Sequence, residues 1–209
     1  RESCLPKTAC SDSIAAASAD FAQGDVGAGK GMTCHDLKGG IGSSSRRVSI
    51  GGETFTVGVL VLTNHGCLRD LTVGGENIGK EIERRIREDA PDEGSCIMIV
   101  GTDLPVTSRQ LGRIIRRCSV GLARLGSYIG HGSGEVFLGF STTNRVPHES
   151  ARAVLPCTVL HEGRIDAVFR AMGEATEEAV LRAMLCADTV TGFDGSTKYT
   201  IRNFISQIY

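Results

Sequence analysis

The chain has 209 residues, of which 41% are hydrophobic and 22% are charged, and its formal net charge is −1. This length and composition are typical of a single globular domain, here residues 1–209, with a substantial core. The balanced charge gives no reason to expect a nucleic acid or an anionic membrane as partner, and no apolar run approaches the length of a membrane span.

The pattern of apolar and turn-forming residues predicts strands and helices along the whole chain. In chain order, the first predicted element is a helix that starts near Ser11-Asp12 and continues to Ala22. The others are two strands over 47–50 and 54–63, a short helix or connection over 77–87, a strand over 95–100, a helix over 107–125, a strand over 135–141, and a helix over 161–187 with a break near Gly173. The strand over 54–63 is almost continuously apolar, which predicts a central place in its sheet. Hairpin strands combined with long helices favour the α+β class, with helices packed on sheet faces.

A glycine-rich segment over 24–42 precedes the first two strands. It contains Gly29-Lys30-Gly31, but a P-loop requires Ser or Thr directly after the lysine and a strand before the loop, and both are missing. We therefore predict a long structured loop that lines a cleft.

Eight cysteines are scattered along the chain, and none forms a CxxC pair. This spacing does not predict a zinc site, and no other metal or cofactor is expected. Mostly reduced thiols favour a cytoplasmic location, with the periplasm as an alternative, while Cys4 and Cys10 are close enough in sequence to pair. The chain begins at Arg1 without a methionine or signal peptide, which suggests a processed product or a missing upstream part.

A polar run over 89–93 ends at Gly94, and an apolar strand begins with Ser95. Cleavage of the Gly94–Ser95 bond would place a hydroxyl and a free α-amine on one residue. Since an α-amine has a reference pKa of roughly 7.7–8.0, part of it is neutral near pH 7 and able to act as a base. That is the N-terminal-nucleophile form of the base–nucleophile pair, although Gly-Ser before a strand is more often a plain turn.

Three more polar residues stand at strand ends. Asn64 follows the strand over 54–63, and its amide is either a turn group or a donor to an oxyanion. Ser133 and Glu135 stand at the start of the strand over 135–141. The carboxylate of Glu135 is either an exposed strand-end charge or a group that orients a hydroxyl or an ammonium.

Three histidines lie in glycine-rich loops, namely His35, His65 and His131. Each of them, taken alone, is more typical of a surface histidine than of a catalyst. No His-Asp-Ser arrangement stands out.

Several spaced blocks occur in one order along the chain. They are GAGKGM at 27–32 with CH at 34–35 and KGGIG at 38–42, GVLV at 58–61 with Asn64, Gly94-Ser95, GLAR at 121–124, and GSGE at 132–135 with FL at 137–138 and FST at 140–142. Together they resemble the DmpA/BapA family of L-aminopeptidase D-esterase/amidases and β-peptidyl aminopeptidases. The resemblance covers roughly residues 12 to 195.

This resemblance implies a fold, a site and a maturation step. The family fold is an αββα sandwich similar to the Ntn hydrolases, and its members are precursors that cut themselves before a serine or threonine. Carried onto this chain, the cut falls between Gly94 and Ser95 and yields an α-subunit part over 1–94 and a β-subunit over 95–209. Ser95 is then the nucleophile, Ser133 and Glu135 assist it, and Asn64 contributes to the oxyanion hole.

The resemblance also implies partners. The substrates are peptides or amino-acid amides and esters, without a metal or cofactor, and the assembly is a homo-oligomer, a tetramer of processed αβ units. Family members carry an upstream stretch with a carboxylate that receives the substrate's amine. That stretch is absent from this chain, so the amine-binding residue is not named.

Two alternatives stay open at this point. A self-cleaving acyltransferase resembling ornithine acetyltransferase would share the site, although its nucleophile is usually threonine. A non-catalytic binding module on the same fold would keep the Gly94–Ser95 bond intact.

Overall fold

The computed structural model describes residues 6–86 and 94–205. The α-helices are α1 (Ala9–Ala15), α2 (Gly79–Ile86), α3 (Ser108–Ile115), α4 (Cys118–Arg124), α5 (Asp166–Leu185) and α6 (Arg202–Ile205). The strands are β1 (Thr33–Cys34), β2 (Leu37–Lys38), β3 (Ile41–Ile50), β4 (Glu53–Leu62), β5 (Thr72–Val73), β6 (Glu76–Asn77), β7 (Ile97–Thr102), β8 (Val136–Ser141), β9 (Val190–Thr191) and β10 (Thr197–Lys198).

The longest strands form a four-stranded sheet in the order β3–β4–β7–β8. β3 and β4 form an antiparallel hairpin, β7 pairs antiparallel with β4, and β8 runs parallel to β7. β4 is therefore an interior strand, which confirms the prediction from its apolar sequence. In the parallel pair Ile97 lies opposite Val136, so the segments that enter β7 and β8 lie side by side.

Helices cover one face of this sheet. α5 packs across β3 and β4, α3 packs on β8, and α4 packs beside α5. Gly42 of β3 permits a close approach to α5, because a Cβ at that position would lie 1.9 Å from the carbonyl oxygen of Ala179. Farther along β3, the guanidinium of Arg46 donates to Glu178 of α5 at 2.6 Å. The helical layer is thus joined to the sheet by both backbone contact and an ion pair.

The opposite face of the sheet carries apolar side chains that are 38–54% exposed. They are Leu60, Ile97, Ile99, Val136, Leu138 and Phe140. The described residues therefore supply one sheet and one helical layer of the expected αββα sandwich. The other sheets within 6–86 and 94–205 are two-stranded antiparallel pairs, β1–β2, β5–β6 and β9–β10. The α+β class itself is confirmed.

Several predicted boundaries were wrong. α1 ends at Ala15 instead of Ala22, because it buries none of its residues and therefore gains no packing from a longer helix. The helix predicted over 107–125 is divided into α3 and α4, although Thr107 caps α3 through a capping box with Gln110. The segment over 77–87 does contain a short helix, α2.

Two more boundaries differ at β3 and α5. β3 begins at Ile41, six residues earlier than predicted. The prediction missed the first half of this strand because it is a polar run of Gly and Ser that lacks the usual strand signal. α5 continues through Gly173 without a break, and this glycine is buried where α5 faces Val120 of α4. In the part of the chain that the structure describes, no helix is long and apolar enough to cross a membrane.

Candidate active site

Ser95 lies at the entrance to β7, two residues before the strand begins, and its side chain is exposed. Its hydroxyl oxygen accepts a hydrogen bond from the backbone N–H of Gly134 at 3.0 Å. The parallel pairing of β7 and β8 brings these segments together, and Val136 N–H donates to the Cys96 carbonyl at 2.9 Å. The structure thus places Ser95 beside the GSGE segment, as the site prediction requires.

Ser133 and Glu135 flank Gly134 and form a pair. The Ser133 hydroxyl donates to the Oε1 atom of Glu135. The other carboxylate oxygen, Oε2, is buried and has no hydrogen-bond partner among the described residues. Since buried carboxylate oxygens are normally paired, this atom is available to a further donor. The view of Glu135 as an exposed strand-end charge was therefore wrong.

Asn64 lies next to the bond that precedes Ser95. A Cβ on Gly94 would lie 1.9 Å from the Asn64 carbonyl oxygen, so the two backbones are in tight contact that only glycine permits. The side-chain Oδ1 of Asn64 accepts from the N–H of Thr33 at 3.4 Å and from its hydroxyl at 3.3 Å. With Oδ1 engaged by Thr33, the Nδ2 group is the donor that this side chain offers to an oxyanion. Thr33, which orients this amide, had no sequence signal of its own.

The glycine-rich segment differs from the predicted loop. It forms a 3₁₀ helix over Gly27–Gly31 and the β1–β2 hairpin, and Gly29 lies against Gly40 and Ile41 at the start of β3. Lys38 is buried and its ammonium donates to the carbonyls of Gly29 at 3.0 Å, Met32 at 2.7 Å and Gly39 at 2.7 Å. Burial lowers the pKa of Lys38, and the carboxylate of Asp25 opposes this shift. Lys38 therefore holds the segment together through three backbone carbonyls.

The histidines occupy two different environments. His35 and His65 are buried, with ring centroids 5.7 Å apart, whereas His131 is exposed. Burial, and to a lesser degree the neighbouring His35, lower the pKa of His65 to about 3. Such an imidazole stays neutral near pH 7 and is a weak base, so it is a poor substitute for an α-amine. The expectation of surface histidines was wrong for His35 and His65.

The described cysteines agree with the prediction of mostly reduced thiols. No disulfide forms among the described cysteines, which are at positions 10, 34, 67, 96, 118, 157 and 186. Cys4 lies outside the described residues, and so does the polar run over 89–93 before the expected cut.

Comparisons with known proteins identify the family to which this chain belongs. Residues 3–198 match the model of peptidase family S58. The β-peptidyl aminopeptidase BapA of Sphingosinicella microcystinivorans is 36% identical over 196 residues, which cover 87% of this chain and 50% of the relative.

Solved structures of similar proteins share the fold of this chain. A protein from Pyrococcus horikoshii OT3 superposes with a TM-score of 0.83 at 42% identity, covering 91% of this chain and 52% of the other. The L-aminopeptidase D-Ala-esterase/amidase of Ochrobactrum anthropi, described as a variant of the Ntn hydrolase fold, gives 0.81 at 34% identity, covering 92% and 54%. The chain therefore spans about half the length of the relatives that it matches. The match over residues 3–198 and the shared fold show that this chain belongs to peptidase family S58.

Proposed function

We propose that this protein is a self-processing serine aminopeptidase or amidase in which Ser95 is the nucleophile. The observation that carries the proposal is the position of the Gly94–Ser95 junction. Gly94 packs on Asn64, and the Ser95 hydroxyl is bound by the N–H of Gly134, between Ser133 and Glu135. The names of the relatives, a β-peptidyl aminopeptidase and an aminopeptidase with esterase and amidase activity, support peptides, amides and esters as substrates.

Processing comes first. In the uncut chain the Ser95 Oγ attacks the Gly94 carbonyl carbon, and its proton passes to the Ser95 nitrogen as the C–N bond breaks. The peptide bond becomes an ester, which water hydrolyses to a carboxylate on Gly94 and a free hydroxyl and α-amine on Ser95. The tight contact between Gly94 and Asn64 supports this step, because it fixes the carbonyl that is attacked.

Turnover uses the groups that processing releases. The α-amine of Ser95 removes the hydroxyl proton as Oγ attacks the substrate carbonyl, and the same proton then goes to the leaving amine or alcohol. The Asn64 amide stabilises the oxyanion, a contribution of about 2.7–4 kcal/mol for a single donor in comparable sites. Water then hydrolyses the acyl-enzyme.

Glu135 has a separate task in this scheme. Its Oε1 atom already accepts from Ser133, while Oε2 is buried without a partner in the described part of the chain. An α-ammonium formed on Ser95 during turnover would be a donor of the right charge for this oxygen. We therefore assign Glu135 and Ser133 to the control of the proton at Ser95.

The assembly of processed αβ units into a homo-oligomer and a cytoplasmic location are further parts of the proposal. Light scattering on the purified protein tests the first of these, since a tetramer and a monomer differ fourfold in mass.

The activity is tested with a panel of amino-acid amides that carry a free amine, each compared with its N-acetylated form. We expect the wild type to hydrolyse the free-amine amides and to leave the acetylated forms intact, because an aminopeptidase recognises the amine. Ser95→Ala should be inactive, and Ser119→Ala, which removes an exposed hydroxyl on α4, is the matched control. Full activity in Ser95→Ala would contradict the proposal, and transfer of the acyl group to an added amine without hydrolysis would favour the acyltransferase.

A further inference from the structure

Three buried side chains behind the active site converge on one point. They are Cys34 of β1, His35 directly after it, and His65, which follows Asn64. One ligand atom of each, a sulfur and two ring nitrogens, lies within 4.8 Å of the other two. The cluster is assembled by an isolated parallel bridge between Cys34 and His65, and by a hydrogen bond of 2.8 Å from His35 N–H to the His65 carbonyl.

His65 is an unusual member of this cluster. Its side chain is 3% exposed, and both ring nitrogens are buried without a hydrogen-bond partner among the residues that the structure describes. A neutral imidazole carries one donor and one acceptor, and leaving both unmatched in the interior is unfavourable. The large majority of buried polar side-chain atoms are paired, so His65 requires an explanation.

The neighbouring backbone holds His35 in a fixed orientation. His35 and Asp36 form the two-residue turn between β1 and β2, with φ values of 49° and 59°, a region that residues other than glycine seldom adopt. The Nδ1 atom of the His35 ring lies 2.9 Å from the Cys67 carbonyl oxygen. A Cβ on Gly66 would lie 2.6 Å from the same ring, so this glycine makes room for it.

This contact also selects the tautomer of His35. If Nδ1 carries the proton and donates to the carbonyl, Nε2 presents a lone pair to the cluster. Histidines that bind metals commonly donate their second ring nitrogen to a carbonyl or carboxylate in this way.

We propose that Cys34, His35 and His65 form a binding site for a divalent transition metal, with Zn²⁺ as the first candidate. One thiolate and two imidazoles are a common ligand set for zinc, which leaves a fourth position for water. Zinc bonds of about 2.0–2.3 Å require ligand atoms roughly 3.5 Å apart, so only small side-chain rotations are needed from the present separations. On binding, the Cys34 thiol loses its proton to solvent and the sulfur forms the new bond.

Such a metal would act on the active site through Asn64. The metal would tie β1, which contains Thr33, to the segment that contains Asn64 and His65. Thr33 orients the Asn64 side chain, and a Cβ on Gly94 would lie 3.1 Å from the His65 Cα. The site is therefore a support for the oxyanion donor and not a group that touches the substrate.

The test is metal uptake by the full chain after treatment with a chelator. We expect the wild type to bind one Zn²⁺ per chain in equilibrium dialysis, and Ser95→Ala to bind it equally, so that the result does not depend on processing or activity. Cys34→Ala and His65→Asn should weaken binding by more than about 100-fold, since even outer-shell partners are typically worth 10–100-fold. Cys118→Ala and His161→Asn are the matched controls, one buried thiol and one exposed imidazole outside the cluster.

Cobalt provides a readout on the wild type itself, in case a variant fails to fold. Co²⁺ bound to this cluster should show a thiolate-to-cobalt charge-transfer band and the strong visible bands of a tetrahedral ion. The proposal is overturned if the wild type takes up no metal, if both cluster variants retain it, or if cobalt binds without the thiolate band.

Discussion

The substitution Gly94→Ala isolates the contact between Gly94 and Asn64. Gly94 is not among the glycines with a positive φ, so alanine causes no backbone strain there and acts through sterics alone. Its Cβ would lie 1.9 Å from the Asn64 carbonyl oxygen and 2.8 Å from the carbonyl carbon, both backbone atoms that cannot rotate away.

The size of the effect follows from these distances. Real Cβ atoms stay at least 3.0 Å from such neighbours, so the two backbones must separate by about 1 Å, and a displacement of that size can cost about 10²-fold in rate. We expect Gly94→Ala to slow both self-cleavage and amide hydrolysis by this factor or more. The sheet should keep its stability, because the contact lies outside the strands.

Processing is followed by intact mass against time, and turnover by release of the amine product. Gly112→Ala is the matched control, because a Cβ at that helical position meets nothing within 4 Å. It should process normally and gain up to about 1 kcal/mol in the free energy of unfolding. Cleavage of Gly94→Ala at the wild-type rate would refute the view that this contact sets the geometry of the scissile bond.

Three other substitutions test separate parts of the account. Glu135→Gln should keep the fold and lower kcat/KM by about 10²–10⁴, measured on a free-amine amide, because general acid–base assistance is typically worth that much. Lys38→Met should lower the free energy of unfolding by about 3 kcal/mol in denaturant titration, since it removes the donor to three carbonyls, whereas exposed Lys30→Met should change little. Burial alone would raise the pKa of Glu178, but hydrogen bonds led by that from Arg46 outweigh it and hold the pKa below 4.5. Its stabilising effect is thus present above about pH 4.5 and lost as the pH falls through the lower folded pKa, so Glu178→Gln should make unfolding less sensitive to acid in that range.

The candidate site residues could be proposed from the sequence because each has a local signal. Ser95 and Glu135 stand at the entrance to apolar strands, and Asn64 follows one. The structure adds the parallel pairing of β7 with β8, which brings Ser95 beside Gly134 across 39 residues of sequence. A pairing of that range depends on the whole sheet and has no pattern within either strand.

Other features could not be predicted for equally physical reasons. The first half of β3 is a polar run, and it forms a strand because β4 supplies its hydrogen-bond partners and α5 packs against it. The cluster of Cys34, His35 and His65 has no spacing motif in the sequence. Its members come together only in the fold, where an isolated parallel bridge joins Cys34 to His65. The exposure of the apolar sheet face could not be predicted either, because the sequence pattern around Ile99 and Leu138 is the same as that of buried core residues.

The central claim is that Ser95 becomes the N-terminal residue of the catalytic chain. N-terminal sequencing combined with intact mass on freshly purified wild-type protein and on Ser95→Ala tests it most directly. The account predicts two fragments for the wild type, the second beginning Ser-Cys-Ile-Met-Ile, and one uncut chain for Ser95→Ala. A wild type that stays intact while it hydrolyses free-amine amides, or a Ser95→Ala chain that still splits before residue 95, would contradict it.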